Sequence, residues 1–383
     1  MSTLGKRKKR TTKGKDSPPQ KRLRQIDNNL PPTTRSMAKK STAATQPSKT
    51  SRPNTRTSRR RENNTSTRTD PLETSIANRI ETRLQTKLHE SSEDLTTNIS
   101  NTNEPLCIID DRNSNDPAYC VPYVFDIMNH LIACEGEGED YMQNQKEVNA
   151  TMRGILINWI IEVSQEYKLS QETLYLSKKI IDHVLGIEEI PRQQLQLLGI
   201  VSLLLASKYE DVETPPIKTF AYISDGTCSP NEIIDMEKKV LGDYLKYHLT
   251  FPTEPQFLSR FLAVVSEEFE DEITLELEQL ASFYCENTLL HYPFTFYKPS
   301  TISLSSVCLA LYTLNRAPWS DTLEIHSRQE WSNPRFRECL TELQNYIINL
   351  KSTTLTAVSD KYDLHSIRIS NIVPTTNIFD KFP

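Results

Sequence analysis

Apolar residues recur along most of the chain at spacings of three and four, the period of a helix buried on one side. Tyr123, Val124, Ile127, Met128, Leu131 and Ile132 predict a short amphipathic helix, closed by the run Gly136-Glu-Gly-Glu-Asp140. From Met152 the rhythm is almost unbroken. Ile155, Leu156, Trp159, Ile160 and Val163 form one apolar face, and Ser170 caps a second helix through Leu174, Ile180 and Val184, ended by Gly186. A third helix, from Gln193 to Lys208, is apolar nearly all round, as expected of a helix wrapped by its neighbours. Pro215-Pro216 interrupts the chain, and a short helix follows. Ser229-Pro230 offers an N-cap with proline at the first helical position, opening a helix whose face is Ile233, Ile234, Met236, Val240 and Leu241.

After the hinge Pro252-Thr-Glu-Pro255 the rhythm returns near 256–266, 273–290, 299–316 and 334–350. No alternating pattern of strand length is present. The expected fold class is therefore all-α: two tandem five-helix repeats, 117–251 and 252–372, the first including the short lead-in helix, with a tail at 373–383. Residues 1–105 break the pattern. They are rich in Ser, Thr, Asn, Lys, Arg and Pro and poor in aromatic residues, so they cannot bury enough apolar area to offset chain entropy. They read as a disordered arm, with a transient helix at 73–88.

Charge sharpens that division. Met1 to Arg61 carry 19 Lys and Arg against Asp16 and Asp27, a net +17; the whole-chain −5 therefore leaves −22 on the remainder. A basic arm on an acidic body is the expected result. The seven cysteines include no CxxC pair, and nine glycines across 383 residues provide no phosphate loop. No GxSxG, HExxH or kinase signature occurs, and the histidines are isolated, which argues against intrinsic catalysis and against a metal or cofactor. No apolar run has membrane-spanning length.

Three motifs in order carry a resemblance. Met152-Arg-Gly-Ile-Leu-Ile-Asn-Trp159, Leu203-Leu-Leu-Ala-Ser-Lys-Tyr-Glu210, and Met236-Glu237 with its following apolar run resemble the first, third and fifth helices of the cyclin family. The lead-in Pro117–Ile127, with Tyr141, Met142 and Gln145, resembles the A/B, or mitotic, type. The resemblance implies a non-enzymatic subunit that binds and activates a cyclin-dependent Ser/Thr kinase in cell-cycle (G2/M) control. It implies that Lys208 and Glu237 bind kinase main-chain groups, and that Arg153 and Asp182 form a structural ion pair. Tyr209, Leu241, Tyr247 and Leu249 read both as apolar kinase contacts and as core positions. Met152, Leu156 and Trp159 read both as core and, by the resemblance, as a groove for Arg-x-Leu peptides of substrates or inhibitors, with Glu162 and Gln196 at its polar rim. This chain departs from the family pattern twice. Asn158 stands where the signature has Asp, and one extra residue lies between Glu237 and Tyr247. One residue turns a helix by about 100°, so the excess is expected to be absorbed near Gly242.

In the arm, Lys6, Arg7, Lys8, Lys9 and Arg10, followed by Lys21, Arg22 and Arg24, have the spacing of a bipartite import signal, implying an import receptor and both nuclear and cytoplasmic residence. Nucleic-acid attraction is the competing reading, but the arm lacks interleaved aromatics for stacking. No Arg-x-x-Leu degron is present; Arg61-Glu-Asn63 and Arg68–Asn78 are partial matches only. Two alternatives to the cell-cycle reading stay open: a transcription-type cyclin, and a general transcription factor with two cyclin-like repeats. The first usually lacks the basic arm, and the second usually carries a zinc ribbon.

Overall fold

The structure is a computed structural model that describes residues 110, 114–138, 140–266, 271–363 and 376–382. The basic arm, its import clusters, its degron matches and the 73–88 helix lie outside the described residues. Helix α1 (Val124–Cys134) leads in. The first repeat is α2 (Ala150–Glu166), α3 (Gln171–Ile187), α4 (Leu195–Glu210), α5 (Ile217–Ile223) and α6 (Pro230–Lys239), which continues into a wide turn at Val240–Tyr244. The second is α7 (Glu254–Ser266), α8 (Asp271–Thr288), α9 (Pro299–Thr313), α10 (Asp321–Ser327) and α11 (Pro334–Ile348). Short helices α12 (Ala357–Asp363) and α13 (Ile378–Lys381) follow. No strand occurs among the described residues.

Local chemistry sets the helix starts. Asn149 accepts from the Met152 amide and Ser170 from the Thr173 amide. Ser229 and Glu232 form a reciprocal capping box ahead of Pro230. A simpler cap opens α11, where Asn333 accepts from the Arg335 amide beside Pro334.

Each repeat is built around its third helix. In α4, Leu198 to Ser207 are all buried, with α3 packed along it. In α9 all fifteen residues are buried beneath α7, α8 and α11. Three of its hydroxyls are tolerated there because they bond back into the helix: Ser303 to the Pro299 carbonyl, Ser306 to Ile302 and Thr313 to Leu309, each at 2.8 Å.

A buried polar network joins the repeats. Arg153 is fully buried; its Nε and Nη2 meet the two Asp182 oxygens at 2.9 and 2.8 Å, and its Nη1 donates to the Leu289 carbonyl. Tyr141 donates to Asp182 at 2.6 Å. Lys178 lies between Asp182, at 3.5 Å, and Glu254 on α7, at 3.3 Å. Burial alone would raise the Asp182 pKa, but Arg153 and Lys178 outweigh it and hold the carboxyl at about 2. The expected ion pair is thus the centre of a larger inter-repeat lock.

Two expectations change. On α1, Met128 packs inward while Tyr123 and Ile127 are exposed, so the apolar positions serve two faces rather than one. The 373–383 stretch is not a loose tail where it is described. Ile378 is fully buried, and Phe379 packs 5.2 Å from the Trp331 ring.

Candidate functional site

The ends of α4 and α6 come together on one surface. Lys208, in the last turn of α4, forms an ion pair with Glu237 of α6 across 29 residues of sequence. The Lys208 side chain is 44% exposed and that of Glu237 13%, so the pair sits at the surface with one partner sunk into it. Tyr209, next to Lys208 in sequence, is 48% exposed, and Tyr247, beyond the end of α6, is 76% exposed. Leu241 and Leu249 are half-buried against the core. A surface that keeps tyrosines wet beside an anchored ion pair has the composition of a protein-binding hot spot.

The second predicted cluster lies where α2 packs on α4. Met152 is half-buried, Trp159 is buried, and among the described residues no acceptor meets the Trp159 indole N–H. The Glu162 carboxylate accepts from the Asn158 amide at 3.0 Å, and the Gln196 side-chain oxygen accepts from Thr227 at 3.2 Å. Leu156 is buried, as Trp159 is. It is 2% exposed and packs so tightly on Gly199 that a Cβ there would lie 2.7 Å from the leucine. Ile155, one residue earlier, is the half-exposed member of the stripe. Spacings of three and four both fit one helical face, and only the glycine opposite decides which residue turns inward.

Asn158 has a use that Asp could not fill. Its amide donates to Glu162 while its oxygen accepts the Ala357 amide at 3.0 Å, tying α2 to the start of α12. Tyr123, 64% exposed just before α1, and Ile127, 45% exposed on it, were not among the residues singled out from the sequence as site candidates. Their signal was present, since the apolar positions on α1 are too many for one face of so short a helix.

Among the described residues no cluster of His, Cys, Asp and Glu could hold a metal ion, and no helix is long and apolar enough to cross a membrane. Burial pushes the Cys285 and Cys339 thiols up to about 12, so neither is a ready nucleophile.

Two helical repeats, a buried third helix in each, and a charged pair between the third and fifth helices of the first define the cyclin class. The Cyclin, N-terminal domain family matches residues 124–250 and the Cyclin, C-terminal domain family residues 252–375, and the chain belongs to the cyclin family. Its relatives are A-type. It is 39% identical to cyclin-A1-1 of Arabidopsis thaliana over 67% of this chain and 56% of that protein. It is 36% identical to putative cyclin-A3-1 of the same plant over 70% and 76%, and 37% identical to cyclin-A1-3 of Oryza sativa subsp. japonica over 69% and 54%. The match thus spans little more than half the length of several relatives. These relatives do not favour the two transcription alternatives. The fold is shared with a viral cyclin from herpesvirus saimiri, at a TM-score of 0.50 and 20% identity, covering 63% of this chain and 99% of the viral one.

Proposed function

We propose that this chain is a regulatory subunit that binds and activates a cyclin-dependent Ser/Thr kinase in cell-cycle control. The observation that carries the reading is the Lys208–Glu237 pair, held at the surface on two helices, with Tyr209 next to Lys208 and Tyr247 beyond the end of α6 both exposed. An ammonium and a carboxylate beside apolar surface can exchange each other for main-chain carbonyl and amide groups of a docked helix, at little net desolvation cost. The exposed Tyr123 and Ile127 on α1 add apolar area for the same partner. Activation is a population shift. The bound subunit favours the kinase conformation in which its Lys–Glu pair forms, and it contributes no catalytic group itself. Purified chain should stimulate kinase activity, and Lys208→Ala with Glu237→Ala should abolish both binding and stimulation; unchanged binding refutes the assignment.

Substrate and inhibitor recruitment is assigned to Met152, Leu156, Trp159, Glu162 and Gln196, with the half-exposed Ile155 beside them. Glu162 would pair with the arginine of an Arg-x-Leu motif, and the half-buried Met152 and Ile155 would meet its leucine. Met152→Ala with Trp159→Ala should remove Arg-x-Leu peptide binding while sparing the kinase. The basic clusters at 6–10 and 21–24 are proposed to engage an import receptor, giving nuclear as well as cytoplasmic residence. Neutralising both should leave a fluorescent fusion in the cytoplasm; retained nuclear accumulation would exclude them.

A further inference from the structure

Helix α6, which carries Glu237, does not end as a regular helix. Its buried positions fall at Ile233, Met236 and Val240, spaced by three and four, and then at Leu245, spaced by five. The Leu245 amide bonds the Val240 carbonyl at 2.9 Å, the wider i to i+5 link. In uninterrupted α geometry the core position after Val240 would be Tyr244. Tyr244 instead lies half-buried at the flank, with the Lys239 ammonium 5.1 Å from its ring centre. The extra residue in this chain is therefore absorbed at Val240–Tyr244, around Gly242, without disturbing the core.

The chain then forms a hook. Lys246 and Tyr247 both take positive φ, 50° and 63°, and the Tyr247 amide closes back on the Leu241 carbonyl at 2.9 Å. Two consecutive non-glycine residues in the left-handed region are unfavourable, and glycine would relieve either. Tyr247 gains no burial in exchange, being 76% exposed. Its hydroxyl lies 4.0 Å from where a Gly242 Cβ would sit, so the ring folds back over the wide turn, beside Leu241 and one helical turn beyond Glu237. Strained backbone thus holds a large aromatic ring in water at the edge of the Lys208–Glu237 surface. Such strain persists where function maintains it.

We propose that the wide turn and hook select the partner, and that Tyr247 is a specificity-determining residue; this rests on the kinase-binding reading and deepens it. The ring fits a protein-kinase surface that offers an apolar patch with a hydrogen-bond acceptor at its rim, since a phenol needs both. The test measures the affinity of the full chain for a panel of purified cyclin-dependent kinases, alongside its melting temperature. Tyr247→Gly should melt no lower than the parent yet bind the preferred kinase about tenfold more weakly. Lys246→Gly, which relieves the same kind of strain, should bind it unchanged. Tyr247→Phe should narrow the difference between preferred and other kinases. Unchanged affinity in Tyr247→Gly, equal losses in both glycine variants, or a lower melting temperature for Tyr247→Gly would overturn the proposal. Lys208→Ala with Glu237→Ala separates the two levels. If that variant loses binding and Tyr247→Gly does not, only the selectivity claim falls; if neither loses binding, the kinase-binding reading falls.

Discussion

The two repeats solve the same packing problem and then treat the surface between their third and fifth helices in opposite ways. In the second repeat the chain covers that surface itself. Tyr312, near the end of α9, donates to the Thr376 carbonyl, as does the Gln344 side chain of α11; the Gln344 oxygen accepts the Ile378 amide at 3.2 Å. Phe382 packs against Tyr312, and the Arg337 guanidinium lies over Phe379. In the first repeat the corresponding surface carries Lys208, Glu237, Tyr209 and Tyr247, and no described segment of the chain lies over it. One fold thus yields one face covered by the chain's own segment and one that the described residues leave open, the face proposed to dock the kinase.

Breaking the lock between the repeats should have the largest effect. Arg153→Met removes both charged hydrogen bonds to the buried Asp182 carboxylate and the donor to the Leu289 carbonyl, for a loss of about 3–5 kcal/mol in denaturant unfolding. Opening the closed face comes next. Ile378→Ala should cost about 2–4 kcal/mol and lower the unfolding midpoint while leaving kinase affinity intact, because that face is not the docking surface. Acid should weaken the lock through Asp182. Its pKa is held at about 2 in the folded chain against an ordinary 3.8. The associated stability, roughly 2 kcal/mol, is fully present above the unfolded value and is lost as pH falls through the folded one. Asp182→Asn should flatten the pH dependence of unfolding between those values. The smallest effect sharpens the comparison of the two fifth helices. Ser229→Ala removes the capping box of α6 and should cost about 1 kcal/mol, much as Asn333→Ala should for α11.

Much of this was readable from residue patterns. The caps at Ser170 and Ser229 and the wrapped third helix follow from local chemistry, which the sequence states directly, whereas the extra residue near Gly242 was visible only against the family pattern. The Arg153–Asp182 ion pair was assigned by resemblance, and so were Lys208 and Glu237 as site residues, but that those two pair with each other was seen only in the structure; periodicity alone would not have joined residues 29 positions apart. What stayed hidden depended on partners distant in sequence. Leu156 and Ile155 are equivalent as helix-face positions until Gly199 is placed opposite them. Helix α13 is four residues long and forms because Ile378 and Phe379 find a prepared aromatic surface, not because its own propensity would hold it. The enlargement of the ion pair into an inter-repeat lock required Glu254 to begin α7 facing Lys178.

The most direct measurement is kinase affinity and kinase activation by two variants of the full chain, one on each face. Lys208→Ala with Glu237→Ala should weaken binding more than about 100-fold and remove activation. Ile378→Ala, assayed at a temperature where it remains folded, should stay within about twofold of the parent. Unchanged binding by the first variant, or equal losses from both, would contradict the claim that the open face of the first repeat is the kinase-docking surface.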